Sequence, residues 1–178
     1  TVNKMVATLW QWTKQGRAPV VLDITSCTYS LKTCRPYLTA DNQKIFDRLT
    51  ILDSIEFSAD ILLSKLSVSN KKKEVIMHPV CSVHKMNLSD KLEKIGRETS
   101  DKLVIPFNAG CCGMAGDRGF YYPELLRSAS RKEASEVVES SSEACYSTGK
   151  PCEMSMSETT GKNYRSIFYL LDEVSEKK

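Results

Sequence analysis

Apolar residues at the start of the chain recur with helical spacing. Val2, Met5, Val6 and Leu9 fall at i, i+3, i+4 and i+7, which predicts an amphipathic helix ending near Gly16. Pro19 to Ile24 forms a short apolar run, read as a buried strand that opens into a loop at Thr25, Ser26 and Cys27. A helix is predicted over Asp41 to Leu49, and Ile55, Ala59, Leu62 and Leu66 mark a third by their spacing. Ser67 to Lys73 is polar and reads as a surface connection.

The second half alternates strand and helix more regularly. Glu74 to Met77 reads as a strand that ends at His78, Pro79, Val80 and Cys81, with a helix over Leu88 to Glu98. Lys102 to Ile105 is a third strand; it stops at Pro106 and empties into the loop Asn108 to Gly116, which carries Cys111 and Cys112. Pro123 suits the first turn of a helix running to about Glu139. Ile167, Leu170, Leu171 and Val174 stripe a last helix, predicted over Arg165 to Glu173. This alternation predicts an α/β fold with a mainly parallel sheet flanked by helices. In such sheets ligands gather beyond the carboxyl ends of the strands, and the expected cysteine-bearing loops fall there. Cys27-Thr28-Tyr29-Ser30-Leu31 matches Cys152-Glu153-Met154-Ser155-Met156 as Cys-x-x-Ser-apolar. Two related lobes are therefore expected, residues 1–66 and 74–178, in one C-terminal fragment of a longer protein with the first lobe truncated at Thr1.

Charge narrows the partners. Twenty-five basic and 22 acidic residues leave a formal charge of +3, and no basic block is longer than Lys71 to Lys73, which does not argue for nucleic acid. No apolar run approaches the roughly 20 residues of a transmembrane helix, so any membrane contact is expected to be peripheral. Seven cysteines in 178 residues are the chemical signal. An odd number does not suit a closed disulfide framework, and a chain with 41% hydrophobic residues needs no staples, so the expectation is a reducing, cytoplasmic compartment and thiolates that bind metal. Soft thiolates hold iron–sulfur clusters or zinc, and Gly110, Gly113 and Gly116 let backbone N–H groups approach the cluster sulfurs. Cys81, Cys111, Cys112 and Cys152 form the expected ligand set, whereas Cys34 and Cys145 read as core residues. His78 and His84 flank Cys81 and are read as structural side chains. Asp117 and Arg118 are either a turn pair or, through Arg118, a positive charge beside the cluster. Trp10 and Trp12 are read as core or interdomain contacts.

His78-Pro79-Val80-Cys81-Ser82-Val83, the stretch from Cys111-Cys112-Gly113-Met114-Ala115-Gly116 through Asp117-Arg118-Gly119-Phe120, Pro151-Cys152-Glu153 and Tyr164-Arg165-Ser166-Ile167 together resemble the cysteine-rich CCG domains of iron–sulfur oxidoreductases. Within that group they look most like the C-terminal end of bacterial FAD-linked D-lactate dehydrogenases and related D-2-hydroxy-acid dehydrogenases. The resemblance spans nearly the whole chain. It implies upstream flavin and ferredoxin-type domains, a four-iron four-sulfur cluster, a cytoplasmic location peripheral to the inner face of the membrane, and a quinone or cytochrome as electron acceptor. The complete family pattern ends in Cys-x-x-Cys, but the residues three before and three after Cys152 are Gly149 and Ser155. Cys27, the counterpart of Cys152 in the first lobe, either completes this site or serves another. The resemblance carries no substrate domain, and no Gly-x-Gly-x-x-Gly turn is present, so the fragment alone is expected to lack dehydrogenase activity. Three other readings stay open: structural zinc, which usually spaces paired thiolates by two to four residues; thiol–disulfide cycling of Cys111 with Cys112 or of Cys145 with Cys152; and an assembly surface.

Overall fold

A computed structural model describes residues 1–177. The first helix, α1 (Val2–Trp12), stops before Gly16 because Lys14, Gln15 and Gly16 all take positive φ. Gly16 is required there: a Cβ would lie 2.7 Å from the Arg48 carbonyl oxygen. Strand β1 (Val20–Leu22) leads into α2 (Thr25–Lys32), and a 3-10 turn at Arg35–Tyr37 leads into α3 (Ala40–Phe46). Strand β2 (Ile51–Asp53) lies parallel to β1. Asp53 then starts α4 (Ser54–Phe57) with a reciprocal cap: its carboxylate accepts from Ile55 N–H, and Glu56 accepts from Asp53 N–H.

The expected helix through Leu66 is shorter. After α4 the chain makes one wide turn, Ser58–Leu62, and Leu66 belongs to β3 (Leu66–Val68). The predicted connection over Ser67 to Lys73 is thus partly strand. Its partner is β8 (Ser175–Lys177), antiparallel and more than a hundred residues away, so no local pattern could announce it. From β3 the chain continues through β4 (Lys72–His78), α5 (Cys81–Lys85), α6 (Ser89–Thr99), β5 (Ser100–Val104), α7 (Arg118–Tyr121), α8 (Pro123–Glu139), β6 (Cys145–Ser147), α9 (Lys150–Thr160), β7 (Tyr164–Ser166) and α10 (Ile167–Val174).

The main sheet has the order β5-β4-β6-β7, all parallel, with helices on both faces. Alternation along β4 divides its side chains. Val75 and Met77 pack with Leu92 and Ile95 of α6 and with Leu170 and Val174 of α10. Ile76 packs on the opposite face with Val137 of α8 and Met156 of α9. A strand covered on both sides needs an unbroken apolar run, which is why this segment was legible in sequence. Ile55 and Ala59 also sit in the α6–α10 core, so the segment around α4 packs on the larger sheet, while Val6, Leu31, Cys34 and Leu38 close a separate small core around α1.

The chain leaves β4 toward β5 on one side and leaves β6 toward β7 on the other. The carboxyl ends of β4 and β6 therefore flank the point where the winding reverses, the usual place for a crevice in an open α/β sheet.

Candidate thiol site

Cys81 is the first residue of α5, three positions beyond the end of β4. Cys152 lies in the first turn of α9, five beyond the end of β6. Cys111 and Cys112 occupy the irregular segment between β5 and α7. Only this last pair stands in a loop as expected. Cys81 and Cys152 are helical, and so is Cys27 in α2, because each strand end turns directly into a helix whose first-turn N–H groups face outward.

Cys112 and Cys152 meet with their sulfurs 3.1 Å apart. Cys112 is 7% exposed, Cys152 is half-buried, and both pack with Met114 and Leu126. The pair divides one proton. The hydrogen bond from Cys152, then the backbone N–H of Met114 and the charge of His78, outweigh burial and lower the Cys112 thiol to about 6. Cys152 is pushed the other way, first by that same bond to Cys112, then by burial, and further by the nearby charges of Cys112, Cys81 and Cys111. Cys112 is accordingly the thiolate and Cys152 the donor.

The loop that carries Cys111 and Cys112 is braced from three directions. Gly113 takes φ +77, and a Cβ there would lie 2.4 Å from the Leu125 carbonyl oxygen, so the turn is seated against the start of α8. Its N–H donates to Cys111 Sγ at 3.4 Å. Glu136 of α8 accepts from the backbone N–H groups of Phe107 and Asn108 at 2.7 and 3.1 Å, and from the Asn108 side chain. Ser155 of α9 donates its hydroxyl hydrogen to the Cys112 carbonyl. That hydroxyl ties α9 to the Cys112 backbone.

Beneath the loop lies a buried pair that the sequence reading missed. His78, fully buried, donates from Nδ1 to Glu133 Oε1 at 2.7 Å, and the other Glu133 oxygen accepts from Gly110 N–H at 3.3 Å. Glu133 is 1% exposed. A signal was present: Leu126, Ser130, Glu133, Ala134 and Val137 form the inward stripe of α8, so a carboxylate falls on a buried face. The Nε2 atom of His78 is buried without a hydrogen-bond partner.

The remaining sequence candidates are placed apart. Cys27 is exposed, and no hydrogen bond joins it to the pair among the described residues, although α2 packs on α5 and Thr25 N–H donates to the Thr148 carbonyl just before α9. Gly116 takes φ +81 with open space around it. Arg118, at the start of α7, is exposed, and no Asp117–Arg118 ion pair occurs among the described residues. Cys34 and Cys145 are buried in two separate cores. His84 receives the Ser89 hydroxyl contact at 3.2 Å. Trp10 stacks under Arg48, and Trp12 is 77% exposed, so it is not a core residue.

The structure brings two thiols into contact, Cys112 and Cys152, and sets an amide donor on the Cys111 sulfur. Zinc bound at about 2.3 Å in a tetrahedron keeps its thiolates roughly 3.8 Å apart. Among the described residues no group of three or more Cys, His, Asp or Glu side chains stands in metal-ligand geometry, and the Cys112 and Cys152 sulfurs, 3.1 Å apart, are closer than such a site would hold them. No protein-family model matches the chain, and no curated protein matches it.

Proposed function

We propose that this chain is an iron–sulfur electron-transfer unit, the C-terminal part of an FAD-dependent oxidoreductase that oxidises a D-2-hydroxy acid such as D-lactate. The observation that supports it is the contact of the Cys112 and Cys152 sulfurs at the reversal point of a parallel sheet, with Cys111 next to Cys112 in the chain and Cys81 at the carboxyl end of β4. Cys81, Cys111, Cys112 and Cys152 are the residues that would hold the group, and a bound four-iron cluster would supply one-electron transfer. The chain's own part is to present four soft donors, to donate the Gly113 N–H to sulfur and to limit water by burying Cys112. Exposed rings at Phe107, Phe120 and Tyr121 lie on the segments that flank Cys111 and Cys112, and they offer the upstream flavin and ferredoxin-type domains a surface on which to deliver electrons destined for a quinone or cytochrome. On this reading α2 and α9 are counterparts in two related lobes.

The test is anaerobic purification followed by measurement of colour, iron and acid-labile sulfide. Brown protein with iron and sulfide is expected, with strong loss in C112S and none in C34S, whose thiol lies in the core around α1. Colourless protein with bound zinc would favour the structural-zinc reading instead. The isolated chain should show no turnover of D-lactate, D-2-hydroxyglutarate or glycolate with a dye as acceptor.

A further inference from the structure

Two thiols 40 residues apart in sequence sit with their sulfurs 3.1 Å from each other, about 1 Å beyond the ~2.05 Å of a disulfide bond. Two contacts hold them in register: the Ser155 hydroxyl, one turn after Cys152, donates to the Cys112 carbonyl, and Gly113 is seated on the Leu125 carbonyl. We propose that Cys112 and Cys152 are a dithiol–disulfide couple whose oxidation closes the thiol site to metal and whose reduction opens it.

The other pairings are disfavoured by geometry. Consecutive Cα atoms across a trans peptide are about 3.8 Å apart, short of the ~4.4–6.8 Å that a disulfide spans, so adjacent Cys111 and Cys112 are poorly placed for each other. Cys145 packs among Ile76, Val137 and Met156 on the sheet face, while Cys152 packs with Cys112, Met114 and Leu126. Cys34 belongs to the core around α1. The fold has therefore paired two cysteines that the linear sequence does not pair.

The oxidant is a low-molecular-weight disulfide of the glutathione class. The Cys112 sulfur attacks one sulfur of that disulfide, forming a mixed disulfide and releasing one small thiol. The Cys152 sulfur then attacks the Cys112 sulfur, closing the protein bond and releasing the second small thiol. The protein gives up two protons and two electrons, and both appear in the two thiols released. Bonding the two sulfurs removes two of the four donors at once, and this gating role rests on the metal-binding reading. The disulfide itself does not.

The experiment uses the whole 178-residue chain, reduced and stripped of metal by a chelator, then incubated with oxidised glutathione. After alkylation and digestion, mass spectrometry should find one linked peptide pair, Cys112 with Cys152, and titration of the unfolded protein should find two thiols fewer than the seven of the reduced chain. C112S and C152S should each abolish the link, while C34S retains it. Zinc alone, and separately ferrous iron with sulfide, are then offered to both forms; uptake by the oxidised form should fall at least tenfold and return after reduction. Links through Cys81 or Cys111, or glutathione adducts without an internal link, overturn the couple whatever the metal uptake. Equal metal uptake by both forms overturns the gating. A clean Cys112–Cys152 link in a chain that takes up no metal even when reduced overturns both the gating and the metal-binding reading, while supporting the couple.

Discussion

Helices α2 and α9 carry the same local pattern, Cys-x-x-Ser-apolar, and each follows a short strand with a parallel neighbour, yet only one of them builds a site. In α9 the serine is fully buried and its hydroxyl crosses to the Cys112 carbonyl, while the cysteine touches Cys112. In α2 the serine turns back to the Ser26 carbonyl of its own helix at 3.0 Å, and Cys27 is exposed. The motif is a helix start with a thiol on it. What makes α9 different is a second loop, carrying Cys111 and Cys112 and braced by α8, that arrives within reach.

The largest contrast should come from the thiols. Cys152→Ser should remove most of the iron and sulfide taken up on anaerobic reconstitution, and Cys27→Ser should leave it near the wild-type level. Equal losses would erase the distinction between the two helices and make Cys27 a ligand.

Next comes the support beneath the loop, for which the α2 side offers no equivalent buried His–Glu pair among the described residues. Glu133→Ala strips His78 and the Gly110 amide of their common acceptor, and removing one partner of such a buried pair costs about 3–5 kcal/mol. Urea unfolding should show it as a lowered midpoint, and Glu133→Gln, which keeps an oxygen for one of the two donors, should recover part of it. A smaller effect separates the serines. Ser155→Ala leaves the Cys112 carbonyl without its side-chain donor and should cost about 1–3 kcal/mol. Ser30→Ala on the exposed side of α2 should stay within about 0.5 kcal/mol.

The pH dependence sharpens the same contrast. In reduced, metal-free protein the alkylation rate of Cys112 should rise through a midpoint near the lowered value of about 6, since only the thiolate reacts. The thiol of Cys152 is the largest cause of that lowering, so Cys152→Ala should move the midpoint upward. The smallest effect lies in the Glu136 brace. Its carboxylate is lowered first by the Asn108 side chain, then by the Asn108 and Phe107 amides. Its stabilising contribution is therefore complete above the ordinary glutamate range and is lost as pH falls through the lowered value. Intrinsic-rate-corrected amide exchange at Phe107 and Asn108 should accelerate only in that acid range.

Legibility followed the range of the forces. The α8 helix was readable end to end, because Pro123 suits a first helical turn, a local signal. The core of β4 was readable because burial on both faces demands an apolar run. By contrast β3, β6 and β8 are three residues each with no continuous apolar run to declare them, and they exist because a distant backbone completes their hydrogen bonds. Helix α9 was unread because its buried face holds Glu153, Ser155 and Thr160 beside Met156, a polar mixture that contacts in three dimensions satisfy.

For the site the division is similar. By itself the sequence determined which reactive groups are on hand, since the thiols, the glycine that allows φ +77 at Gly113, and the adjacency of Cys111 and Cys112 are properties of the chain. It also determined that strand ends lead to Cys81 and to the Cys111–Cys112 segment. Only the tertiary structure decided which cysteines meet. Cys152 and Cys27 carry equivalent local instructions, and their fates diverge because the sheet order sets β6 beside β4 and thereby brings the start of α9 to Cys112, a pairing determined by strand hydrogen bonds and core burial across the whole chain.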